Sequence, residues 1–566
     1  MNGVAVNLSG LQTASMQTIA DGSYSFAGLA SGGPYTVAPS QSGYAFTPSS
    51  IPNLSVNQKT VDFTASPAPT AVTSASTSIT STSATLNGSV NPNGSLTNVW
   101  FEWGTDPTLT INTSTTQQAI GAGSDSQAVT GNLSSLVAST TYYFRMVASS
   151  AAGTARGSIL FFTTVAPPMT IQFSSANYPV GEAGGHVDTI VMRGGDTSGA
   201  ASVSFASSDQ ALNQNCNVKN GFASSRCDYE ARFATVKFAP GETSKTISVF
   251  IDDDSYLEGP DTFNVNLSNP VGASLGTLAT ATVTIVDNDL VDGTNQIDTS
   301  PFFVRLHYLD FLNREPDASG LSFWMNNINN CTPPPSCTES QRINTSAAFY
   351  ISIEFQQTGY LVERMYKAAY GDAIGTSTTG GAHSLAVPIV RFNEFLSDTQ
   401  QVGAGVVVNQ TGWETVLENN KQAFALEFVG RSSFTTAFQT TLTPAQFVDQ
   451  LFANAGVTPL AGDRQTAINE FGSATNTSNA TARSRALRDV AENAILSSQE
   501  FNRAFVLMQY FGYLRRNPND PPEATLDYNG YEFWLNKLNQ FNGNFVAAEM
   551  VKAFITSDEY RHRFGP

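Results

Sequence analysis

Phe250-Ile251-Asp252-Asp253-Asp254-Ser255-Tyr256-Leu257-Glu258-Gly259-Pro260-Asp261-Thr262-Phe263 holds five carboxylates, and Asp287-Asn288-Asp289 adds two more further along the chain. The run Thr246 to Ile251 has the residue types of a strand, so the three consecutive Asp stand where a strand leaves its sheet. Between Lys245 and Arg305 there is no Lys or Arg to pair with these acids. Taken alone, the loop fits either a solvated acidic turn or a cation site. If a cation is held, oxygen ligands without Cys or His favour calcium, which takes about six to eight oxygens at roughly 2.3 to 2.6 Å.

The charge around the loop points the same way. The chain has 566 residues and a net charge of -18. Residues 168 to 294 carry 15 acidic and 6 basic side chains, half of that excess. Such a surface excludes nucleic acid, whose phosphates need a basic face, and suits an anionic membrane poorly. No apolar run of about 18 residues is present, so no transmembrane segment is expected. At about 100 to 200 residues per domain the chain should hold several domains.

The four Cys fall into two local pairs, Cys216 with Cys227 and Cys331 with Cys337. Neither has the spacing of a redox or zinc motif. They read as two small-loop disulfides, with free thiols as the alternative, and disulfides imply an oxidising compartment. Met1-Asn2-Gly3-Val4-Ala5-Val6 already reads as a strand, with no signal peptide before it. The expectation is an extracellular or cell-surface protein whose start is truncated.

Residues 1 to 66 alternate short β patterns with turns: Val4, Val6 and Leu8 share a face, Asp21-Gly22 turns, and Tyr24 and Phe26 follow at period two. Together with Gly33-Pro34-Tyr35-Thr36-Val37 and Gly43-Tyr44-Ala45-Phe46, this resembles the carboxypeptidase-regulatory-like β-sandwiches of bacterial surface proteins, with the usual first strand cut short. A linker begins at Pro67-Ala68-Pro69-Thr70. In residues 67 to 166, Leu133 to Leu136 ahead of Thr141-Tyr142-Tyr143-Phe144-Arg145 resembles a fibronectin type III sandwich, in which the Tyr packs at a corner. Trp100, Trp103 and Tyr142 read as core aromatics, with a sugar-stacking face as the alternative.

Residues 167 to 290 give seven strand patterns. Gly181-Glu182, Cys227-Asp228-Tyr229, Phe238-Ala239-Pro240-Gly241-Glu242-Thr243, the acidic stretch, Leu267-Ser268-Asn269-Pro270 and Val283-Thr284-Ile285-Val286-Asp287-Asn288-Asp289 occur in the order of a Calx-beta domain, which they resemble. The resemblance implies a calcium-binding sandwich with its ions between loops at one end. Position by position it implies Glu182, Asp228, Asp253, Asp254, Glu258, Asp261, Asp287 and Asp289 as ligands, with Asp261 where the pattern usually has Glu.

Residues 295 to 566 change to helical spacing with an internal repeat. Phe303, Val304, Tyr308, Leu312, Arg314 and Pro316 recur as Phe505, Val506, Tyr510, Leu514, Arg516 and Pro518 at a constant offset of 202. Gly320, Phe323 and Trp324 recur as Gly530, Phe533 and Trp534, and Ser352-x-Glu354-Phe355 as Ser557-x-Glu559-Tyr560. Two weaker copies, from Tyr360 and from Phe447, make four related units. Tyr308 to Asp317 with Gly320 and Trp324 resembles the bacterial domain of unknown function 4214, a helical family.

The expected architecture is three all-β sandwiches followed by an all-α helical domain. No phosphate loop, H-E-x-x-H or G-x-S-x-G motif is present, and no catalytic residue is expected. The function expected is that of a modular, exported bacterial protein with a calcium-stabilised β domain, serving adhesion, binding or assembly with an unknown protein or glycan partner. The alternative is an extracellular hydrolase or carbohydrate-binding subunit whose activity lies in the helices.

Overall fold

The structure is a computed structural model, and it describes residues 1–54, 60–211, 216–333, 336–377 and 383–566. The chain divides into two compact units, Met1–Pro168 and Met169–Pro566. Among the described residues no helix is long and apolar enough to cross a membrane.

In the first unit, strand Ala5–Gly10 pairs antiparallel with Ala14–Gln17 and Tyr35–Ser40. The period-two residues Val6 and Leu8 lie inward with Val4, Tyr35 and Val37. Tyr24 and Phe26 are not in a strand; they pack on this core from an irregular segment, tied by the Tyr24 hydroxyl to the Val61 carbonyl at 2.7 Å. The two aromatics supply core bulk from outside the sheet.

The second sandwich stacks Gln127–Leu133, Ala84–Asn91 and Thr70–Thr77 against a six-stranded sheet centred on Thr97–Gly104 and Thr141–Ser150. Tyr142 lies in its core, and its hydroxyl accepts a hydrogen bond from the Val137 N–H at 3.0 Å, the corner contact expected. Trp103 packs against Tyr142, so the three aromatics do not form one exposed face.

The second unit begins with a sandwich of two sheets. One orders Ser244–Phe250, His186–Gly194, Thr170–Phe173 and Ser274–Leu275; the other orders Asn177–Gly181, Thr280–Val286, Asp261–Val271, Ala201–Ser208 and Phe233–Phe238. All seven expected strands are present. Asn177–Gly181 and Ser274–Leu275 add to them, both short and both paired parallel to their neighbours.

From Ser300 the chain is helical, and it packs the repeat copies on one continuous core. Equivalent residues make equivalent contacts. A Cβ on Gly320 would collide with the Tyr308 hydroxyl, and one on Gly530 with that of Tyr510. Arg314 forms a two-pronged ion pair with Glu354 at 2.7 and 2.8 Å, and Arg516 one with Glu559 at 2.6 and 2.9 Å. Ser352 and Ser557 each cap a short helix by accepting from the aromatic N–H three residues on. The Ser-x-Glu-aromatic turns are therefore caps and Arg clamps. One hairpin, Asp372–Ser377 with His383–Pro388, interrupts the helices. Both disulfides are formed, with Cα separations of 5.7 Å for Cys216–Cys227 and 5.8 Å for Cys331–Cys337.

Candidate metal centre

Strand register gathers the acids. Asn177–Gly181 runs parallel to Thr280–Val286 with Gly181 opposite Val286, so the next residues, Glu182 and Asp287, leave the sheet side by side. Asp261 pairs with Ile285 on the other flank of the same strand. An isolated antiparallel bridge between Tyr229 and Ile251, continued by the Asp252 N–H donating to the Asp228 carbonyl at 3.1 Å, brings Asp228 to the acidic stretch. The Cys216–Cys227 disulfide ends next to Asp228 in sequence.

Two groups of three result: Glu182, Asp287 and Asp289, and Asp228, Asp254 and Glu258, each offering carboxylate oxygens within 4.8 Å of one another. Asp253 and Asp261 stand beside them. Asp253 acts electrostatically on Glu182 and Asp289, and Asp261 on Asp228 and Glu258. All eight residues singled out in the sequence thus lie at one pole, six of them in the two close groups.

The loop backbone holds the carboxylates in place. The Glu258 and Gly259 N–H groups donate to Asp287 Oδ2 at 2.8 and 2.7 Å, and the Asp289 N–H donates to its Oδ1 at 2.6 Å. The Ser224 N–H holds Asp228 Oδ2 at 2.6 Å, the Tyr256 N–H holds Asp254 Oδ1 at 2.7 Å, and the Asp254 N–H holds Glu182 Oε1 at 3.1 Å. Asp228 Oδ1, Asp253 Oδ1, Asp254 Oδ2, Asp261 Oδ1 and Asp289 Oδ2 are buried without a hydrogen-bond partner. Buried carboxylate oxygens left bare are costly.

Burial, and next the neighbouring acids, push the carboxyls up: Glu182 and Asp228 to about 8, Glu258 to about 9 and Asp254 to about 10. Asp261 rises to about 6, chiefly through burial. At neutral pH this pole holds protons unless a cation replaces them. A hard divalent ion fits the all-oxygen donor set, and calcium tolerates the irregular geometry of loops.

The first Asp of the triplet has another role. Asp252 is fully buried and turns away from the pole, 3.4 Å from Arg305 of the first helix, Ser300–Leu312. Arg305 also donates to the carbonyls of Gly185 and Ile251, at 3.1 and 3.2 Å. Nearby, Glu230 of the β domain meets Arg515 and Arg563 of the helical domain, and both arginines lie 3.6 Å from Asp310. These interdomain pairings were not foreseen from the sequence. One signal was available: Arg515 occupies the repeat position of Asn313, and both have left-handed backbones, with φ of 52° and 55°. Asn tolerates that conformation far better than Arg, so an Arg there is out of place unless its side chain is needed.

A sandwich with acidic loops gathered at one pole, followed directly by helices, is the class that these features define. Residues 166–289 match the Calx-beta domain, and residues 293–358 match the Domain of unknown function (DUF4214). Over 142 residues the chain is 36% identical to sodium/calcium exchanger 1 of Canis lupus familiaris, covering 22% of this chain and 14% of the exchanger. It is 32% identical over 170 residues to adhesion G-protein coupled receptor V1 of Danio rerio, covering 30% of this chain and 2% of the receptor. The apo-form Calx CBD1 domain aligns at 28% identity with a TM-score of 0.19, covering 22% of this chain and 99% of that domain. The chain spans only a small part of these full-length relatives, and the DUF4214 match covers the first of the helical units.

Proposed function

We propose that the Calx-beta domain binds calcium through Glu182, Asp228, Asp253, Asp254, Glu258, Asp261, Asp287 and Asp289, and that calcium holds the helical domain in its docked position. The observation that carries this reading is that the same loops bear both sets of contacts. Asp254 belongs to one acidic group, while the next residue, Ser255, donates to the Phe564 carbonyl at 2.9 Å, and Tyr256 to that of His562 at 3.3 Å. Asp228 belongs to the same group, and two residues later Glu230 meets Arg515 and Arg563. Fixing the carboxylates around an ion would therefore fix the surface on which the last helices rest.

The chain then acts as an extracellular or cell-surface module, with the clamped helical domain presented for adhesion, binding or assembly. Two formed disulfides and the absence of any membrane-crossing helix among the described residues agree with such a setting. The test is hydrogen exchange with and without a calcium chelator. Faster exchange at Ser255, Tyr256 and residues 562 to 565 on chelation is expected, and unchanged exchange there would refute the coupling. For the surface role, attachment of the purified chain to the producing cells should fall on chelation and return with calcium.

A further inference from the structure

A cleft in the helical domain, remote in sequence from the acidic loops, carries the opposite charge. It has a volume of about 540 Å³ and is lined by Gln356, Gln357, Arg364, Glu418, Lys421, Arg488, Glu492, Ala494 and Ser497. Its walls bring three cations and two carboxylates together, in a chain whose net charge is -18. The carboxylates are already engaged. Glu418 accepts two hydrogen bonds from Arg488 at 2.8 and 3.0 Å, and Glu492 is shared between Lys421 at 3.1 Å and Arg488 at 3.4 Å.

Arg364 is the cation left over. It is 6% exposed and stacked on the Tyr360 ring at 4.3 Å, and its Nε donates to the Tyr360 carbonyl at 3.2 Å. Among the described residues neither terminal nitrogen has an acceptor, and no carboxylate lies within ion-pair distance. The adjacent acid on its helix, Glu363, is buried with Oε2 unpartnered, and burial followed by repulsion from Glu500 raises its pKa. It forms no ion pair with Arg364 within 4.0 Å. The stem of Arg364 is held in the protein while its free planar fork opens on the cleft, the geometry of a good receptor for an oxyanion.

We propose that this cleft binds a carboxylate or sulfate group carried on a small polar ligand, such as an acidic saccharide, with the Arg364 fork receiving the anion and Lys421 beside it. Stacking on Tyr360 pre-orients the fork, and the amide of Gln357, whose oxygen already accepts from Lys421, offers its NH2 group to the ligand's hydroxyls. The ligand class is set by charge and size: the volume suits one or two sugar rings, and the polar walls offer little to an apolar body.

The test is calorimetric titration of the full chain, held in calcium, with glucuronate, with inorganic sulfate and with neutral glucose. Saturable binding of glucuronate or sulfate, without binding of glucose, is expected. Glucuronate binding more tightly than sulfate would assign the ligand to acidic sugars, and the reverse would assign it to sulfated ones. Arg364→Gln should weaken binding by about tenfold or more, the usual effect of losing a charge-assisted pair. Glu418→Gln, at an exposed carboxylate, should tighten it by freeing Arg488. This second variant keeps the test decisive if Arg364→Gln does not fold. No saturable binding of either anion, or affinities unchanged in the folded variants, would overturn the proposal. Calcium binding is independent of both outcomes.

Discussion

Two sets of buried acids lie a few residues apart and meet opposite fates. At the pole, Asp228, Asp254 and Glu258 face one another, and Asp228 Oδ1 and Asp254 Oδ2 are unpartnered. At the domain interface, Glu230, Asp252 and Asp310 face Arg305, Arg515 and Arg563, three acids against three arginines. Asp252 and Asp254 are separated by one residue, and so are Asp228 and Glu230. Strand alternation would put residues two apart on the same face; Asp228 lies in a turn and Asp252 to Asp254 lie beyond the last strand residue, so the backbone is not extended there and the two acids of each pair part. One side is built for a charge that arrives from solution, and the other carries its countercharge within the fold.

The largest effect should come from breaking the interface. Arg563 is 1% exposed and also donates to the Tyr513 carbonyl at 2.8 Å. Arg563→Ala would leave Arg515 as the one arginine shared by the buried Glu230 and Asp310 and is expected to cost about 3 to 5 kcal/mol, since an undercompensated buried charge is worse than none. A chemical denaturation series measures this; a loss below about 1 kcal/mol would mean that the network is solvated.

Calcium separates the two sets next. In calcium at about a hundred times its dissociation constant, each site should add roughly 2.7 kcal/mol. The double variant Asp253→Asn with Asp254→Asn should abolish that gain and melt no lower than the wild type without calcium, because an amide matches the shape of a carboxyl that has no cation to bind. The pH dependence has a definite sign. Unpaired pole carboxyls titrate near 8 to 10 when folded and near 4 when unfolded, so the calcium-free fold holds more protons than the unfolded chain. Its stability should fall as pH rises from about 4 to about 10, and saturating calcium should remove that slope.

The smallest effect lies in the helical core and has the opposite pH sign. His307 is buried between the Phe303 carbonyl and Ser346, each at 2.7 Å, and burial lowers its pKa to about 3. The unfolded chain takes up that proton below about pH 6.5, so stability should fall as pH drops from there towards 3. The repeat supplies the control. Gln509 holds the equivalent place, and its amide donates to the Phe505 carbonyl at 3.1 Å. His307→Gln should cost about 1 kcal/mol at pH 7 and flatten the acid limb of a melting curve series.

Much of this was legible in the sequence because it is local. Strand alternation, the Ser-x-Glu-aromatic turns and the 202-residue offset depend on neighbours, and the three-Asp run with Asp287 and Asp289 announces the pole. The division of labour inside the triplet was not legible, since Arg305 lies far along the chain and only the docked helices bring it to Asp252. Nor was the Arg364 cleft, whose lining comes from segments spread between Gln356 and Ser497.

Isothermal calorimetry with calcium on Asp252→Asn and Asp254→Asn tests the central contrast most directly. Asp252→Asn is predicted to bind calcium with the wild-type stoichiometry while melting at a lower temperature, and Asp254→Asn to lose binding at the group it shares with Asp228 and Glu258. Loss of calcium uptake in Asp252→Asn, or wild-type uptake in Asp254→Asn, would contradict the assignment of the two acids to separate tasks.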